Sequence, residues 1–529
     1  MTAVTARALE AVDALHRQRV ESSVAPSSVW GVFDRSGLIA SGGHGDRGDG
    51  ATPDADTVYR IASCTKSVTA TALLGLVAGG VLSLDAPVTD FVPAFAAVRL
   101  PTPDSPVPTV RMLLTMSAGF PTDDPWGDRQ ESISDAELDE VLRAGLLFDS
   151  VPGTRFAYSN LGYALLGRVV SAVTGVPFTR FATERVLRPL GLDDTVFAAA
   201  DARGHVVTGH RRVGDAWEAL PTTGPGAFSP IGGLFSTVRD LARWGTWLAS
   251  AFDGSAPPFG ADRPDPTVIG TPTRTATSTG TGAGAGAGTA GGPGTDPIGT
   301  ADRRAMQQAM RAIPAEALPG SARGTGYGFG LFVEHDPFVG PIVSHSGGYP
   351  GFSAHMRWST STGLGVVAFE NATQAKVSVA AGQALDLVLA DAFPAFTAPP
   401  ARAAAGPRPA APGTAAVLPQ TRAAQGAVRR LLADWSDERA ASICTPNVPM
   451  DVPWDRRRAA VTQAVEAVDV DLTAEPVAEE SASPTHLRWW LPGARSRLRV
   501  EIRLAPLAAG SVQTLLVRAE PAPWEQASA

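Results

Sequence analysis

Lysine is almost absent from this sequence of 529 residues, in which arginine supplies nearly all the positive charge; the only lysines are Lys66 and Lys376. Cysteine is equally rare, and Cys64 and Cys444 lie too far apart in the chain to suggest a disulfide framework. The net charge of −8 is small for this length, which argues against a nucleic-acid-binding protein. No uninterrupted apolar run reaches the roughly 20 residues that a membrane-spanning helix needs.

The N-terminal segment also lacks the features of a secretory signal peptide. Residues 1–19 contain several arginines and acidic residues, but no apolar central run and no small-residue cleavage site. We therefore expect a soluble cytoplasmic protein without a membrane span or a nucleic-acid partner. No metal site and no other cofactor is predicted, and the sequence identifies no protein partner.

Two low-complexity segments indicate how the chain is divided. Residues 252–300 consist mainly of Gly, Thr, Ala and Pro, and bury too little apolar surface to offset their ordering entropy, so we predict a disordered insertion. Residues 396–415 are rich in Pro and Ala, as in an interdomain linker. The linker would join a first domain at 1–395, with a helical subdomain at about 85–225, to a small α+β domain of unknown role at 416–529.

Hydrophobic periodicity predicts a mixture of helices and strands. Helices are expected at 3–21, from Ser63 to about Gly79, and near 301–312, 374–393 and 418–435. Strands are expected at 28–33, 38–41, 327–335, 341–345, 352–359 and 363–370, with further alternating runs at 487–490, 498–503 and 513–517.

Ser63 and Lys66 are the first candidate catalytic residues. Positions i and i+3 share one face of a helix, so the amine of Lys66 would lie beside the Ser63 hydroxyl. A serine hydroxyl is a poor nucleophile unless a neighbour takes its proton, and a helix N-terminus favours a developing oxyanion. A guanidinium cannot serve as this base, so the use of lysine in a chain that otherwise uses arginine indicates a nucleophile and its partner. Cys64, one position on, would face away and pack.

Two further segments contain residues that complement this pair. Tyr158 and Asn160 lie two residues apart at the start of an apolar helix. A nearby ammonium would lower the pKa of Tyr158 so that it serves as a base, and Asn160 would hydrogen-bond a substrate amide. Residues 345–348, His-Ser-Gly-Gly, end a β-like run, and the Gly348 N–H would contribute to an oxyanion hole. Taken alone, the first segment is more typical of a packed loop tyrosine with a helix cap, and the second of a glycine-rich turn.

The order Ser-x-x-Lys, Tyr-x-Asn, His-Ser-Gly resembles the serine hydrolases related to class C β-lactamases, where the third motif is often Lys-Thr-Gly. This family includes D-alanyl-D-alanine carboxypeptidases, β-lactamase-like esterases and D-amino-acid amidases. The flanking segments agree: they are Arg60-Ile61-Ala62-Ser63, Val110-Arg111-Met112-Leu113-Leu114-Thr115, Arg188-Pro189-Leu190-Gly191-Leu192 and Gly232-Gly233-Leu234-Phe235-Ser236-Thr237. The resemblance covers about residues 10–393 without the insertion.

The resemblance implies a fold and a set of roles. The fold would be α+β, an antiparallel sheet flanked by helices with a helical subdomain, as in penicillin-binding proteins. Ser63 would be the acylated nucleophile, Lys66 its proton-relay partner and Tyr158 the general base and acid. The substrate-binding residues would be Asn160, His345, Ser346, Gly347 and Gly348, and the N–H groups of Ser63 and Gly348 would form the oxyanion hole.

Two departures from the family pattern bear on the substrate. Residues 116–119 read Met-Ser-Ala-Gly where relatives often have His-Thr-Ser-Gly, so one wall of the cleft is less polar. His345 replaces a lysine and is mostly neutral at pH 7, gaining charge only below about pH 6.5. We therefore expect hydrolysis of small uncharged carboxylic esters, with amides also accepted. The alternatives are a D-stereospecific peptidase or β-lactamase, and a catalytically silent binding protein; an α/β-hydrolase is disfavoured because no Gly-x-Ser-x-Gly motif occurs.

Overall fold

The computed structural model describes residues 4–253, 296–314, 323–373, 375–398, 415–493 and 496–521. Apart from their ends, the predicted insertion and the predicted linker lie outside the described residues. Helical turns at Ser250–Phe252 and Thr300–Met306 reach the two edges of the insertion. Ordered structure therefore extends slightly into the segment that the composition predicts to be disordered.

The described strands form one large antiparallel sheet and several smaller ones. They are β1 (Ser27–Asp34), β2 (Gly37–Gly45), β3 (Tyr59–Arg60), β4 (Gly209–Val213), β5 (Ala216–Leu220), β6 (Phe235–Ser236), β7 (Arg311–Ile313), β8 (Gly324–Tyr327), β9 (Phe332–Asp336), β10 (Gly340–Tyr349), β11 (Phe352–Ser359), β12 (Gly365–Glu370), β13 (Ala478–Glu480), β14 (His486–Pro492), β15 (Ser496–Leu504) and β16 (Val512–Pro521). The large sheet has the order β2-β1-β12-β11-β10-β9-β8-β7. Because β1 pairs with β12, an early and a late part of the predicted first domain meet in one sheet, as the resemblance implies.

The described helices pack on both faces of this sheet and also form a separate helical region. They are α1 (Ala6–Glu21), α2 (Thr65–Ala78), α3 (Val110–Leu114), α4 (Asp124–Gly127), α5 (Asp135–Ala144), α6 (Asn160–Thr174), α7 (Phe178–Ala182), α8 (Ser229–Gly232), α9 (Val238–Ala249), α10 (Thr300–Met306), α11 (Ser378–Ala392), α12 (Pro419–Ala433), α13 (Asp437–Ile443), α14 (Asn447–Asp451) and α15 (Trp454–Val468). Sheet and helices together give the predicted α+β class.

Strand β1 shows why the large sheet is covered on both faces. Successive side chains of a strand point to opposite faces, and in β1 both sets are apolar. Val29 and Phe33 enter the core that contains α2 and α9, whereas Trp30 and Val32 enter the core that contains α1 and α11. The sheet is therefore the middle layer of a three-layer structure.

Two elements differ from the sequence-based expectations. The region at 85–225, predicted to be helical, contains the hairpin β4–β5, which turns at Gly214 with φ +60°. The Gly-Asp pair at this turn is a hairpin signal that the helical interpretation overlooked. The helix expected at 301–312 ends at Met306, and the chain then enters β7, which pairs with β8. Tertiary pairing outweighs local helix propensity here.

The described residues from 415 onward, called here the C-terminal unit, have their own sheet and core. Strands β13–β16 form a four-stranded antiparallel sheet that includes all three predicted alternating runs. Helices α12–α15 pack around it, and apolar side chains such as Val428, Trp489 and Val500 form a separate buried cluster. This cluster also includes Leu147 from the helical region, so the two parts share an apolar contact.

Among the described residues, no single helix is long and apolar enough to cross a membrane. Asn160–Thr174 and Phe178–Leu190 together reach the required length and composition, but they are bent by 80° relative to each other.

Candidate active site

Ser63 lies where the chain passes from β3 into α2. A short 3-10 turn at Ala62–Cys64 precedes the helix, and Ala62 has φ +46°, a left-handed conformation that is unfavourable for a residue with a side chain. Such backbone strain is concentrated at functional sites. The Ile61 N–H donates to the Leu234 carbonyl and fixes the approach to the turn. Ser63 is consequently held at the start of a helix, with its side chain at the wall of a cavity.

Lys66 is fully buried beneath Ser63. Its Nζ donates to Ser63 Oγ at 2.9 Å, to Asn160 Oδ1 at 2.7 Å and to the Ile231 carbonyl at 2.8 Å. These three acceptors match the three N–H donors of an ammonium group. Burial lowers the pKa of Lys66 to about 8, although nearby carboxylates, Asp124 foremost, act to raise it. Lys66 therefore exchanges its proton close to neutral pH, in contact with the serine hydroxyl.

Asn160, the first residue of α6, connects Lys66 to an acidic group. Its side chain is buried and does not line the cavity; its Nδ2 donates to Asp124 Oδ1 at 3.0 Å while its Oδ1 accepts from Lys66. Asp123 accepts the backbone N–H groups of Asn160 and Leu161 at 2.6 and 2.9 Å and so fixes the helix start. Asn160 therefore connects Lys66 with Asp124, and its hydrogen bond to a substrate amide stays a prediction.

The sequence analysis missed the acidic residues of this segment. Asp124 and Asp128 line the cavity together with Ser63. Burial raises the pKa of the Asp123 carboxyl to about 7 and raises the pKa values of Asp124 and Asp128 as well, despite the opposing effect of Lys66. The signal was present as three aspartates within residues 123–128, but their proximity to Lys66 depends on tertiary packing.

Tyr158 lies above Lys66, whose Nζ is 4.9 Å from the centre of the phenol ring. The ring stacks on Phe332 and is close to His345, with ring centroids 6.3 and 6.2 Å away. Burial raises the pKa of Tyr158 well above its usual value, the charge of Asp124 raises it further, and a contact with Ser63 only partly opposes this. The expected lowering of this pKa is thus wrong, because the loss of hydration outweighs the nearby ammonium.

His345 lies on β10 and is also buried. Its Nδ1 is 2.7 Å from the Ser346 carbonyl and must donate, so its Nε2, 3.2 Å from the Tyr327 hydroxyl, accepts. Burial, followed by the charge of Lys66, lowers the pKa of His345 to about 3. The imidazole is therefore neutral at pH 7 as expected, but the expectation that it gains charge just below pH 6.5 is wrong.

The next three residues of β10 differ in orientation. Ser346 lines the cavity, and its Oγ is 2.9 Å from Nδ1 of His355 on β11. Gly347 faces the nucleophile turn instead: a Cβ added there would lie 2.1 Å from the Ile61 carbonyl oxygen. Gly348 again lines the cavity. Gly347 thus sets how closely β10 approaches Ser63, and its role in substrate binding stays a prediction.

The cavity at Ser63 has a volume of about 1730 Å³. Of the predicted residues, Ser63, Tyr158, His345, Ser346 and Gly348 line it, whereas Lys66, Asn160 and Gly347 lie behind its wall. The C-terminal unit contributes Ala482, Ser483, Pro484 and Arg503 to the same cavity, a contribution that the sequence did not reveal.

Comparison with known proteins agrees with this geometry. A family model described as Beta-lactamase matches residues 12–390. The chain is 36% identical over 180 residues to Esterase EstB of Burkholderia gladioli, covering 32% of this chain and 45% of that protein. It is 29% identical over 202 residues to the D-alanyl-D-alanine-carboxypeptidase/endopeptidase AmpH of Escherichia coli strain K12, covering 37% of this chain and 50% of that protein. The chain thus spans about half the length of these curated relatives.

A solved structure extends the likeness to the C-terminal unit. The octameric penicillin-binding protein homologue from Pyrococcus abyssi matches with a TM-score of 0.54 at 18% identity, covering 94% of this chain and 96% of that chain. At this identity the likeness shows the fold alone, and it confirms the predicted penicillin-binding-like α+β fold. Since the family model covers most of the sequence, from residue 12 to residue 390, the chain belongs to the β-lactamase family.

Proposed function

We propose that this protein is a serine hydrolase that acts through an acyl-enzyme, with Ser63 as nucleophile, on carboxylic esters that carry no charge next to the scissile bond. The observation that supports this most strongly is the 2.9 Å contact between Ser63 Oγ and the buried Lys66 Nζ at the wall of the cavity. The relationship to an esterase and to a carboxypeptidase is compatible with hydrolysis of an ester or an amide.

Lys66 is the group best suited to activate the nucleophile. With a pKa of about 8, a substantial fraction of Lys66 is neutral at physiological pH, and neutral lysine can take the proton of Ser63 as Oγ attacks the ester carbonyl. The resulting oxyanion would be bound by the N–H groups of Ser63 and Gly348, at the helix start and the strand edge. Departure of the alcohol leaves an acyl-serine, which water then hydrolyses.

Tyr158 is better suited to donate a proton than to accept one. Its pKa is raised by burial, so it keeps its proton at neutral pH, and from its contact with Ser63 it would reach the leaving oxygen. This assigns the base role to Lys66 and the acid role to Tyr158, a division that differs from the roles implied by the family resemblance.

His345 supports the preference for substrates without a charge next to the scissile bond. The imidazole is neutral across the physiological range and both of its nitrogens are engaged within the protein. It offers no positive charge to a carboxylate next to the scissile bond. An ester carbonyl is also more electrophilic than an amide carbonyl, so esters should react faster at a site without this additional anchor.

Mass spectrometry after treatment with a fluorophosphonate tests the assignment of the nucleophile. The wild-type protein should gain one adduct and hydrolyse a short-chain p-nitrophenyl ester, whereas Ser63→Ala should do neither. Ser442→Ala, which changes an exposed serine of the C-terminal unit, is the matched control and should behave as wild type. An adduct that persists in Ser63→Ala would refute the assignment.

A further inference from the structure

The C-terminal unit forms part of the wall of the cavity that contains Ser63. Ser483 and Pro484, from the loop before β14, and Arg503, near the end of β15, line this cavity on the side of Asp124 and Asp149. A substrate that fills the cavity beyond the scissile bond therefore meets residues from outside the segment matched by the family model.

Gln513 fixes this wall in relation to the catalytic residues. Its side chain is almost fully buried; its Nε2 donates to the Leu504 carbonyl at 2.8 Å and to the Thr122 carbonyl at 2.9 Å, and its Oε1 accepts the Trp126 N–H at 3.1 Å. Leu504 follows Arg503 directly, and Thr122 and Trp126 flank Asp124. One side chain thus holds Arg503 and the acidic segment of the active site in a fixed relation.

Further hydrogen bonds and apolar contacts join the C-terminal unit to the first part of the chain. Asp149 accepts both the N–H and the hydroxyl of Thr485, at 2.9 and 2.8 Å, next to the cavity. The Leu147 N–H donates to the Pro506 carbonyl at 2.9 Å, and Ala505 is buried in the core of the first part of the chain. Hydrogen bonds and buried apolar contacts therefore attach this cavity wall to the first part of the chain.

Arg503 differs from the other half-buried arginines of this unit. Arg488 and Arg499 pair with Glu501, and Arg457 donates to backbone carbonyls. Within the described residues, the guanidinium of Arg503 makes no hydrogen bond and no ion pair. It does approach Asp124 closely enough to lower the pKa of that carboxyl. A half-buried guanidinium without a hydrogen-bonded counter-ion thus faces the cavity.

The guanidinium of Arg503, unlike the carboxyl groups beside it, favours an anionic occupant. Burial raises the pKa values of Asp124 and Asp128, because it disfavours their ionised forms. A guanidinium cannot lose its proton in a protein, and its planar fork of donors matches a carboxylate. Arg503 therefore offers the cavity a guanidinium that an anionic ligand can pair with.

We propose that Arg503 is a specificity-determining residue that binds a carboxylate at the far end of the substrate, so that the C-terminal unit selects esters with an anionic group distant from the scissile bond. This inference rests on the proposed function and refines it. The acyl carbon still lies beside the neutral His345, whereas the carboxylate lies across the cavity, at Arg503.

The test compares mono-p-nitrophenyl esters of dicarboxylic acids of increasing length, from glutarate to suberate, with their methyl-capped counterparts. Wild-type kcat/KM should favour the free carboxylate at the lengths that reach Arg503. In Arg503→Gln the ratio of kcat/KM for the free carboxylate to that for the methyl-capped ester should fall by about tenfold or more, and Arg503→Lys should retain part of this ratio. Arg518→Gln, which removes an exposed arginine from the adjacent strand β16, is the matched control.

Each remaining outcome decides against the proposal. An unchanged preference in Arg503→Gln, an equal loss for both ester types, or the same change in Arg518→Gln would each overturn it. If wild type hydrolyses no ester, the proposed function fails separately. The inference is then tested by calorimetry, which measures the affinity of Ser63→Ala and of Ser63→Ala/Arg503→Gln for the suberate monoester. The inference requires that the double variant binds this ester more weakly than Ser63→Ala does.

Discussion

Replacing Asp124 by asparagine should lower the pKa of Lys66 and therefore the pH at which the site becomes active. Asp124 is linked to Lys66 through the Asn160 amide by hydrogen bonds of 3.0 and 2.7 Å. Its carboxylate stabilises the ammonium form of Lys66 and is the largest influence that raises the pKa of this lysine. Asparagine has the same shape and can still accept from Asn160, so Asp124→Asn removes the charge and keeps the hydrogen bond.

The expected magnitude follows from the geometry. The two hydrogen bonds and the width of one amide place the charges at most about 8 Å apart. At an effective dielectric constant of about 20, Coulomb's law gives about 2 kcal/mol, which lowers the pKa of Lys66 by about 1.5. A pKa of about 8 in the wild type would then become about 6.5 in Asp124→Asn.

The measurement is the rate of fluorophosphonate labelling of Ser63 as a function of pH, which reports the nucleophile without the later steps of turnover. If neutral Lys66 is the base, the rate should rise through about pH 8 in the wild type and through about pH 6.5 in Asp124→Asn. Asp124→Ala, which also removes the hydrogen bond to Asn160, should in addition lower the plateau rate. A profile that does not move in Asp124→Asn would refute the electrostatic coupling between Asp124 and Lys66.

Two further predictions concern stability. Glu131 accepts a hydrogen bond from Ser229 and pairs with the buried Arg60 at 3.0 Å, so Glu131→Ala should lower the free energy of unfolding by about 3–5 kcal/mol in urea titrations. Glu140→Ala, at an exposed position, should change it little, and equal effects of the two substitutions would contradict the pairing. Gly347→Ala should lower the thermal unfolding midpoint, because the new methyl group meets the backbone at residue 61. Gly348→Ala should leave the midpoint unchanged, because no atom lies within 4 Å of its new methyl group, and equal midpoints of the two variants would refute the steric argument.

The sequence was sufficient for the parts of the site that depend on local spacing. Ser63 and Lys66 are three residues apart on a helical face, and the structure places their side chains in contact. The predicted strands at 341–345 and 352–359 are adjacent in the large sheet, as alternating apolar runs with short connections favour. Local periodicity is enough for such elements, because neighbouring residues determine it.

The rest of the site depends on contacts between residues distant in sequence. Asp124 lies 58 positions after Lys66, and Arg503 lies in a different unit, so no local pattern relates either residue to the nucleophile. Asn160 was recognised by its spacing from Tyr158, but its orientation depends on Asp124. The β4–β5 hairpin was overlooked for a different reason: its turn signal is local, but the surrounding helical pattern obscured it.

Burial also decides the chemistry of the site in a way that residue identity alone does not predict. Desolvation disfavours whichever form of a group is charged, so the same dry environment lowers the pKa of Lys66 and His345 and raises that of Tyr158. His345 at about 3 and Tyr158 well above its usual value are both held neutral at physiological pH. Of these three groups, only Lys66, at about 8, can both gain and lose a proton near neutrality. A general base must do both in each catalytic cycle, so the lysine that the sequence keeps among arginines is the group that the base role requires.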